Sequence, residues 1–166
     1  MTILNEIETA IPALRRYARA LTGDVTRADD LVQDCLERAV RKKHLWKPSG
    51  TVRAWLFTIL LNLHRDAHRR NRTPLVSLDE GHNDIPAQGN QESRLALNQT
   101  VRHMDRLPLE QKQVLLLIAL EGFDYAEAAA ILSIPKGTLM SRLARARANL
   151  RAMRDTPEFP GLRSVK

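Results

Sequence analysis

The sequence predicts an all-α protein built from two small helical domains joined by a flexible linker, and three observations carry that expectation. Apolar residues recur at three- and four-residue steps in both halves of the 166-residue chain, which is the period of helices that bury one face. Between the halves, Asn71 to Asn90 (NRTPLVSLDEGHNDIPAQGN) sustains no period and contains Pro74, Gly81, Pro86 and Gly89. A structureless stretch of that length suits a linker better than the interior of one domain. Finally, Gly122 to Met153 reads as two helices and a tight turn. The domains follow as residues 1–72, a linker at 73–90, residues 91–154, and a tail at 155–166 with Pro157 and Pro160, read as frayed. At this length each domain is expected to hold its own core.

Ile3, Ile7, Ile11, Leu14, Ala18 and Leu21 mark an amphipathic first helix, ended at Thr22-Gly23-Asp24 with Gly23 suited to a left-handed cap. A second helix starts near Thr26. Ala28, Leu31, Val32, Cys35, Leu36 and Ala39 form its apolar side, with Asp30, Gln33, Asp34, Glu37 and Arg41 opposite, an acidic stripe in a basic protein. Cys35, on the apolar side, reads as a buried inert thiol. The sign then flips through Arg41, Lys42, Lys43, His44 and Lys47 into a Pro- and Gly-containing loop. Thr51 suits the N-cap of a third helix running to about Arg70, apolar nearly all round in its middle and ending in His64, Arg65, His68, Arg69 and Arg70. Cations at a helix C-terminus are favoured by the macrodipole, which accounts for some of them without any ligand.

The second half opens with a helix near Gln91 to Arg106. A further helix runs to Glu121, with Pro108 at its first position and Gly122 as its stop. Asp124 with Glu127 is a capping-box pair, in which each side chain can satisfy the other's orphan backbone N–H. Ala128, Ala129 and Ala130 allow close approach of a second helix, and Ser133-Ile134-Pro135 interrupts the pattern, since proline cannot continue a helix but can open one. This is a helix-turn-helix. In its second helix Leu139, Leu143, Ala146, Leu150 and Met153 form the apolar stripe. Thr138, Ser141, Arg142, Arg145 and Asn149, on the other side, are donors of the kind that reach bases and phosphates in a major groove. From Lys136 to Arg154 there are six cations and no acid, which favours a polyanion over an ordinary solvated face.

The net charge of +7 points the same way, and aromatics at 4% argue against single-strand binding by extensive base stacking. One cysteine excludes an internal disulfide and a multi-cysteine zinc site, as expected in a reducing compartment. No charged-then-apolar leader opens the chain, and the longest apolar run, Trp55 to Leu63, is too short to span a bilayer, so a cytoplasmic location is expected. No phosphate loop, nucleophile elbow or defensible carboxylate pair suggests an enzyme, and no cofactor is expected. His64 and His68 share one helix face and could ligate a metal, but no third ligand stands at a recognisable spacing, so phosphate contact or packing is the preferred reading.

Four stretches, in order, resemble the bacterial extracytoplasmic-function (ECF) sigma factors: ADDLVQDCLERA (Ala28 to Ala39), RAWLFTILLNLHRDAHRR (Arg53 to Arg70), LPLEQKQVLLLIALEGFDYAEAAAIL (Leu107 to Leu132) and IPKGTLMSRLARARANL (Ile134 to Leu150). RAWLFTIL and EGFDYAEAA are most similar to the subgroup serving the alphaproteobacterial general stress response. The resemblance implies a three-helix domain like sigma region 2 and a helix-turn-helix domain like region 4. It implies as partners core RNA polymerase, through the largest-subunit clamp coiled coil and the second-largest-subunit flap, promoter DNA and a cognate anti-sigma factor.

By the same resemblance Asp30, Gln33, Asp34 and Glu37 would dock on core polymerase, although a solvated face explains the stripe equally well. The Lys43 to Val52 loop, with Lys43, Trp46 and Lys47, resembles the loop that captures a flipped base of the minus-10 element. Asn62 matches a position lining that pocket, or serves as a polar residue bonded within the domain. Arg65, Arg69 and Arg70, with His64, would follow the backbone of the opening duplex. Lys136, Thr138, Met140, Ser141, Arg142 and Arg145 would face the minus-35 element, with Ser141, Arg142 and Arg145 reading it. Met140 stands where the family commonly has a basic residue, which suggests an altered sequence preference. Ser133 replaces the usual turn glycine, where a left-handed backbone is expected. Two other readings remain: a homodimeric helix-turn-helix regulator on a palindromic site, and a sigma-like decoy that binds an anti-sigma factor without touching DNA.

Overall fold

The structure is a computed structural model that describes residues 2–70 and 91–155, with the side chains of 91–98 excluded. The linker at 73–90 and most of the tail, residues 156–166, therefore lie outside the described residues. Among the described residues seven α-helices follow one another: α1 (Ile3–Thr22), α2 (Val25–Lys42), α3 (Val52–Arg70), α4 (Gln91–Arg106), α5 (Leu109–Leu115), α6 (Tyr125–Leu132) and α7 (Lys136–Asp155). A short 3-10 turn at Lys43–Leu45 follows α2, and a π-helical turn at Leu116–Leu120 widens the end of α5. No strand occurs among the described residues.

Local chemistry sets the helix ends. Gly23, at φ 69, closes α1 by sending its N–H to the Arg19 carbonyl at 2.9 Å, and Asp24 then caps α2 by accepting from the Arg27 N–H at 3.0 Å. Thr51 caps α3 in the same way, accepting from the Ala54 N–H at 3.1 Å. Pro108 is the N-cap of α5 rather than its first helical residue, because its ψ of 142° is still extended. Pro12, which interrupts no apolar spacing, sits exposed inside α1.

The halves were expected to bury separate cores. Instead one continuous core runs through both. α1, α2 and α3 pack as a three-helix unit, while α5, α6 and α7 form the second unit and rest on α1 and α3. An aromatic relay joins them. Tyr17 of α1 packs edge-on against Phe57 of α3 at 5.1 Å, and Phe57 packs edge-on against Phe123 of the second half at 5.1 Å. Offset and edge-on ring pairs of this kind add about 0.5 to 1.5 kcal/mol each beyond their buried area. Cys35 is buried in the first unit, its Sγ 3.4 Å from the Leu56 carbonyl, and burial pushes its thiol up to about 12, so it stays protonated and inert.

Candidate nucleic-acid and polymerase interfaces

α2 buries Ala28, Val32, Cys35 and Ala39 and exposes Asp30, Gln33, Asp34 and Glu37. Among the described residues, these four side chains make one contact, a long one of 3.4 Å from the Gln33 amide to Glu37. Neighbouring Asp29 is engaged with Arg19 at 3.4 Å. The acidic face is thus available to a large partner.

Beyond α2, Lys43, His44, Leu45 and Lys47 are exposed, while Trp46 is half-buried against the core. The Trp46 N–H bonds to the Lys43 carbonyl at 3.3 Å, which fixes the start of the loop and leaves Leu45 61% exposed among the cations. On α3, Asn62 is half-buried and accepts from the Arg65 guanidinium at 3.0 Å. Asn62, Arg65 and Arg69 line a cleft of about 630 Å³ whose opposite wall is the second half, including Leu109, Gln113, the Ile131 to Ile134 turn and Arg142. No residue of the Lys43 to Val52 loop lines that cleft. Across that cleft Asn62 faces the helix-turn-helix. Arg65, Arg69 and Arg70 are all exposed.

His64 is half-buried on the same helix, its ring stacked on His68 at 6.3 Å, and its buried Nδ1 has no hydrogen-bond partner among the described residues. Burial lowers its pKa from the ordinary 6.5, and the neighbouring charges of His68 and Lys112 lower it further. No group of three or more His, Cys, Asp or Glu among the described residues is placed to hold a metal.

In the helix-turn-helix both halves of the capping box form: the Glu127 N–H donates to Asp124 at 2.8 Å and the Asp124 N–H donates to Glu127 at 3.0 Å. Ser133 takes the left-handed conformation at φ 54 and ψ 44, with its N–H on the Ala130 carbonyl and that of Ile134 on Ala129. This is the Schellman arrangement with serine in the position glycine usually fills. On α7, Leu139, Leu143 and Ala146 are buried, and Leu150 and Met153 are partly so. Lys136, Met140, Ser141 and Arg145 point outward, and Thr138 is half-buried.

Arg142 and Asn149 depart from the expectation that they share that outward face. The Arg142 side chain is 24% exposed and lies 3.7 Å from Glu110, and the Asn149 amide donates to Gln111 at 2.7 Å. At roughly 100° per residue, Arg142 sits about 60° round from Leu139, on the flank of the buried stripe, where α5 reaches it. Ser141, about 160° from the stripe, stays clear.

The sequence reading missed a cluster between the halves. The Glu121 side chain, with no exposed surface, accepts from Arg16 Nε at 3.1 Å and from its terminal nitrogen at 2.9 Å. Arg53 adds 2.9 Å to the same carboxylate and 2.7 Å to the Glu121 main-chain carbonyl. The Arg53 guanidinium also lies over the Phe123 ring, 4.2 Å from its centre. The hydrogen bond to Glu121 raises the Arg16 pKa against the smaller opposing effect of burial, so the cation is firmly held. Two signals were present: a lone carboxylate between Leu120 and Gly122-Phe123, and a lone cation leading the apolar run from Ala54.

Residues 7–61 match the family model described as the Sigma2 domain of PhyR, and residues 98–150 the one described as sigma-70, region 4. The chain is 37% identical over 153 residues to the ECF RNA polymerase sigma factor EcfG of Rhodopseudomonas palustris, covering 92% of this chain and 84% of that one. Among solved structures it is similar to the sigma factor RpoE bound to the anti-sigma factor NepR from Bartonella quintana. That match has a TM-score of 0.75 at 32% identity and covers 90% of this chain and 94% of that one. The anti-anti-sigma factor PhyR bound to NepR, from the same organism, shares the fold at a TM-score of 0.63 and 20% identity. Here 91% of this chain matches 50% of that one.

Proposed function

The chain belongs to the extracytoplasmic-function RNA polymerase sigma factors, and from that premise we propose that three of its surfaces divide the work of starting transcription. The exposed acidic face of α2 (Asp30, Gln33, Asp34, Glu37) docks on the clamp coiled coil of the polymerase largest subunit. The loop cations with Trp46, together with Asn62, Arg65, Arg69 and Arg70, take the melted minus-10 strand. The outward side of α7 (Lys136, Met140, Ser141, Arg145) enters the major groove at the minus-35 element, with Arg142 joining once it leaves Glu110, while the second domain rests on the flap. The protein contributes binding and promoter opening without catalysis of its own, and works in the cytoplasm, where core polymerase is. A NepR-like anti-sigma factor is its expected inhibitor, as in the related RpoE complex.

The observation that supports this best is the separation of charge. One face of α2 presents Asp30, Gln33, Asp34 and Glu37 to solvent, whereas the recognition helix presents Lys136, Ser141 and Arg145. Extruding a base costs a few kcal/mol, which phosphate contacts from the α3 cations help offset.

Run-off transcription with purified core polymerase tests it. Transcripts that depend on this protein are expected. Palindrome binding by the protein alone with no transcript would favour the dimeric regulator. A decoy reading draws on the PhyR description of the first matched family; it predicts anti-sigma capture with neither transcript nor DNA binding. The exposed cations of the loop favour the sigma factor, because a mimic needs no surface for melted DNA.

A further inference from the structure

The Arg16–Glu121–Arg53 cluster ties the half that carries Asn62 to the half that carries the helix-turn-helix, and we infer that it is an autoinhibitory latch. Before core polymerase binds, the chain holds itself closed with the minus-10 side of α3 turned into the cleft, and docking on polymerase separates the halves. This rests on the reading of the protein as a sigma factor.

Three features distinguish a releasable latch from permanent cement. Glu121 is withdrawn from water, yet both cations that hold it belong to the other half, so the bond exists only while the halves touch. Those cations sit at the rim: the Arg16 side chain is 53% exposed and that of Arg53 37%, leaving both within reach of solvent and of a competing anion. Arg53 further clamps the Phe123 ring that completes the aromatic relay, so loss of the ion pair loosens the apolar contact beside it.

The consequence lies in the cleft. Asn62 and Arg65 look across it at Ile131 to Ile134 and Arg142, so a strand seated on Asn62 would share its space with the turn of the helix-turn-helix. Closed and promoter-bound arrangements exclude one another. Opening frees two guanidinium groups from Glu121, and a phosphate is an anion that can take the place of its carboxylate. A ligand that binds only the open state must shift the population by its differential affinity, which makes the closed fraction a direct brake on DNA affinity.

The test uses the full chain in three forms: wild type, Glu121→Gln, and Arg16→Ala with Arg53→Ala. The double variant alters only the first half and guards against misfolding of the second in the Gln variant. Small-angle scattering reports separation of the halves, circular dichroism reports helix content, and a labelled single-stranded oligonucleotide of mixed sequence reports DNA access. A compact chain of this length has a radius of gyration of about 15 Å. The latch predicts that value for the wild type. In both variants it predicts an increase of at least a few ångström, unchanged helix content, and single-strand binding at least fivefold tighter despite the loss of two cations in one of them. An expanded wild type, variants as compact as wild type, or expansion without tighter binding would each overturn it. Scattering reads the latch whether or not the protein supports transcription, so its failure is separable from failure of the run-off experiment.

Discussion

The phenol of Tyr17 reaches from α1 to donate to the main-chain carbonyl of Gln113 at 3.0 Å, so a residue of the first half is bonded to the backbone of α5 in the second. Tyr17 has no exposed surface, and burial, with the nearby Glu121 charge, raises its pKa well above the usual 10.0, keeping the hydroxyl a donor at all relevant pH. The bond sits where α5 passes into the π-helical turn. There the Leu116 N–H is shared between the Gln113 and Lys112 carbonyls, leaving Gln113 room for a second donor. Tyr17→Phe keeps the edge-on ring contact with Phe57 and deletes only the hydroxyl. It is expected to lower stability by about 1 to 2 kcal/mol, the usual cost of leaving a buried carbonyl short of a partner. Urea unfolding monitored by circular dichroism would show a lower midpoint. Because the bond spans both halves, tryptophan fluorescence, which reports the first half alone, should shift with it; a shift in only one signal would mean the halves unfold independently.

His64 gives the fold a pH dependence whose sign follows from its surroundings. Burial, His68 on its own helix and Lys112 across the interface all disfavour the charged ring, and Lys112 is itself held by Asp105 at 2.8 Å. A base with a depressed folded-state pKa is neutral in the fold while the unfolded chain takes up protons. Its contribution is therefore intact above about pH 6.5 and is lost as pH falls from there through the folded pKa. Stability measured at pH 7.5, 6.5 and 5.5 should fall over the last interval. His64→Gln should flatten that fall without moving the value at pH 7.5 by more than about 1 kcal/mol. A slope unchanged in the variant would assign it to other groups.

What was legible in the sequence is what residues within a few positions of each other decide. Gly23, Thr51, the Asp124 and Glu127 pair and the left-handed Ser133 are set by bonds three to five residues long, and each is found as read. The acidic face of α2 follows from helical period alone. Arg16 and Glu121 are 105 residues apart, Tyr17 and Gln113 are 96, and Arg53 and Glu121 are 68; no spacing rule pairs residues at such distances. Arg142 failed for a related reason. A helical wheel places it on the border of the buried stripe, and only the position of α5 decides that Glu110 draws it inward. Expecting separate cores was an error of the same kind, because Phe57 and Phe123 each read as ordinary core residues of their own half until the rings meet.

That border position separates the roles of two arginines on the recognition helix. Arg145 is exposed, whereas Arg142 already faces Glu110 and must give up that contact to reach DNA. An arginine that grips a guanine edge by two hydrogen bonds contributes about 1 to 3 kcal/mol of discrimination, or roughly 5- to 150-fold in affinity. Arg145→Ala is therefore expected to cut the preference for a native over an altered minus-35 sequence by roughly that factor. Arg142→Ala should cost less, since part of what the guanidinium gains on DNA it already has from Glu110. Competition binding of the polymerase holoenzyme to the two templates measures the ratio, and a salt titration separates the modes of contact. If Arg145 touches only phosphate, both templates weaken equally and the salt slope falls by about 1. Binding to core polymerase should be untouched in either variant, because the acidic face of α2 is remote in sequence and opposite in charge. Loss of core binding in parallel with loss of selectivity would remove Arg145 from the minus-35 interface.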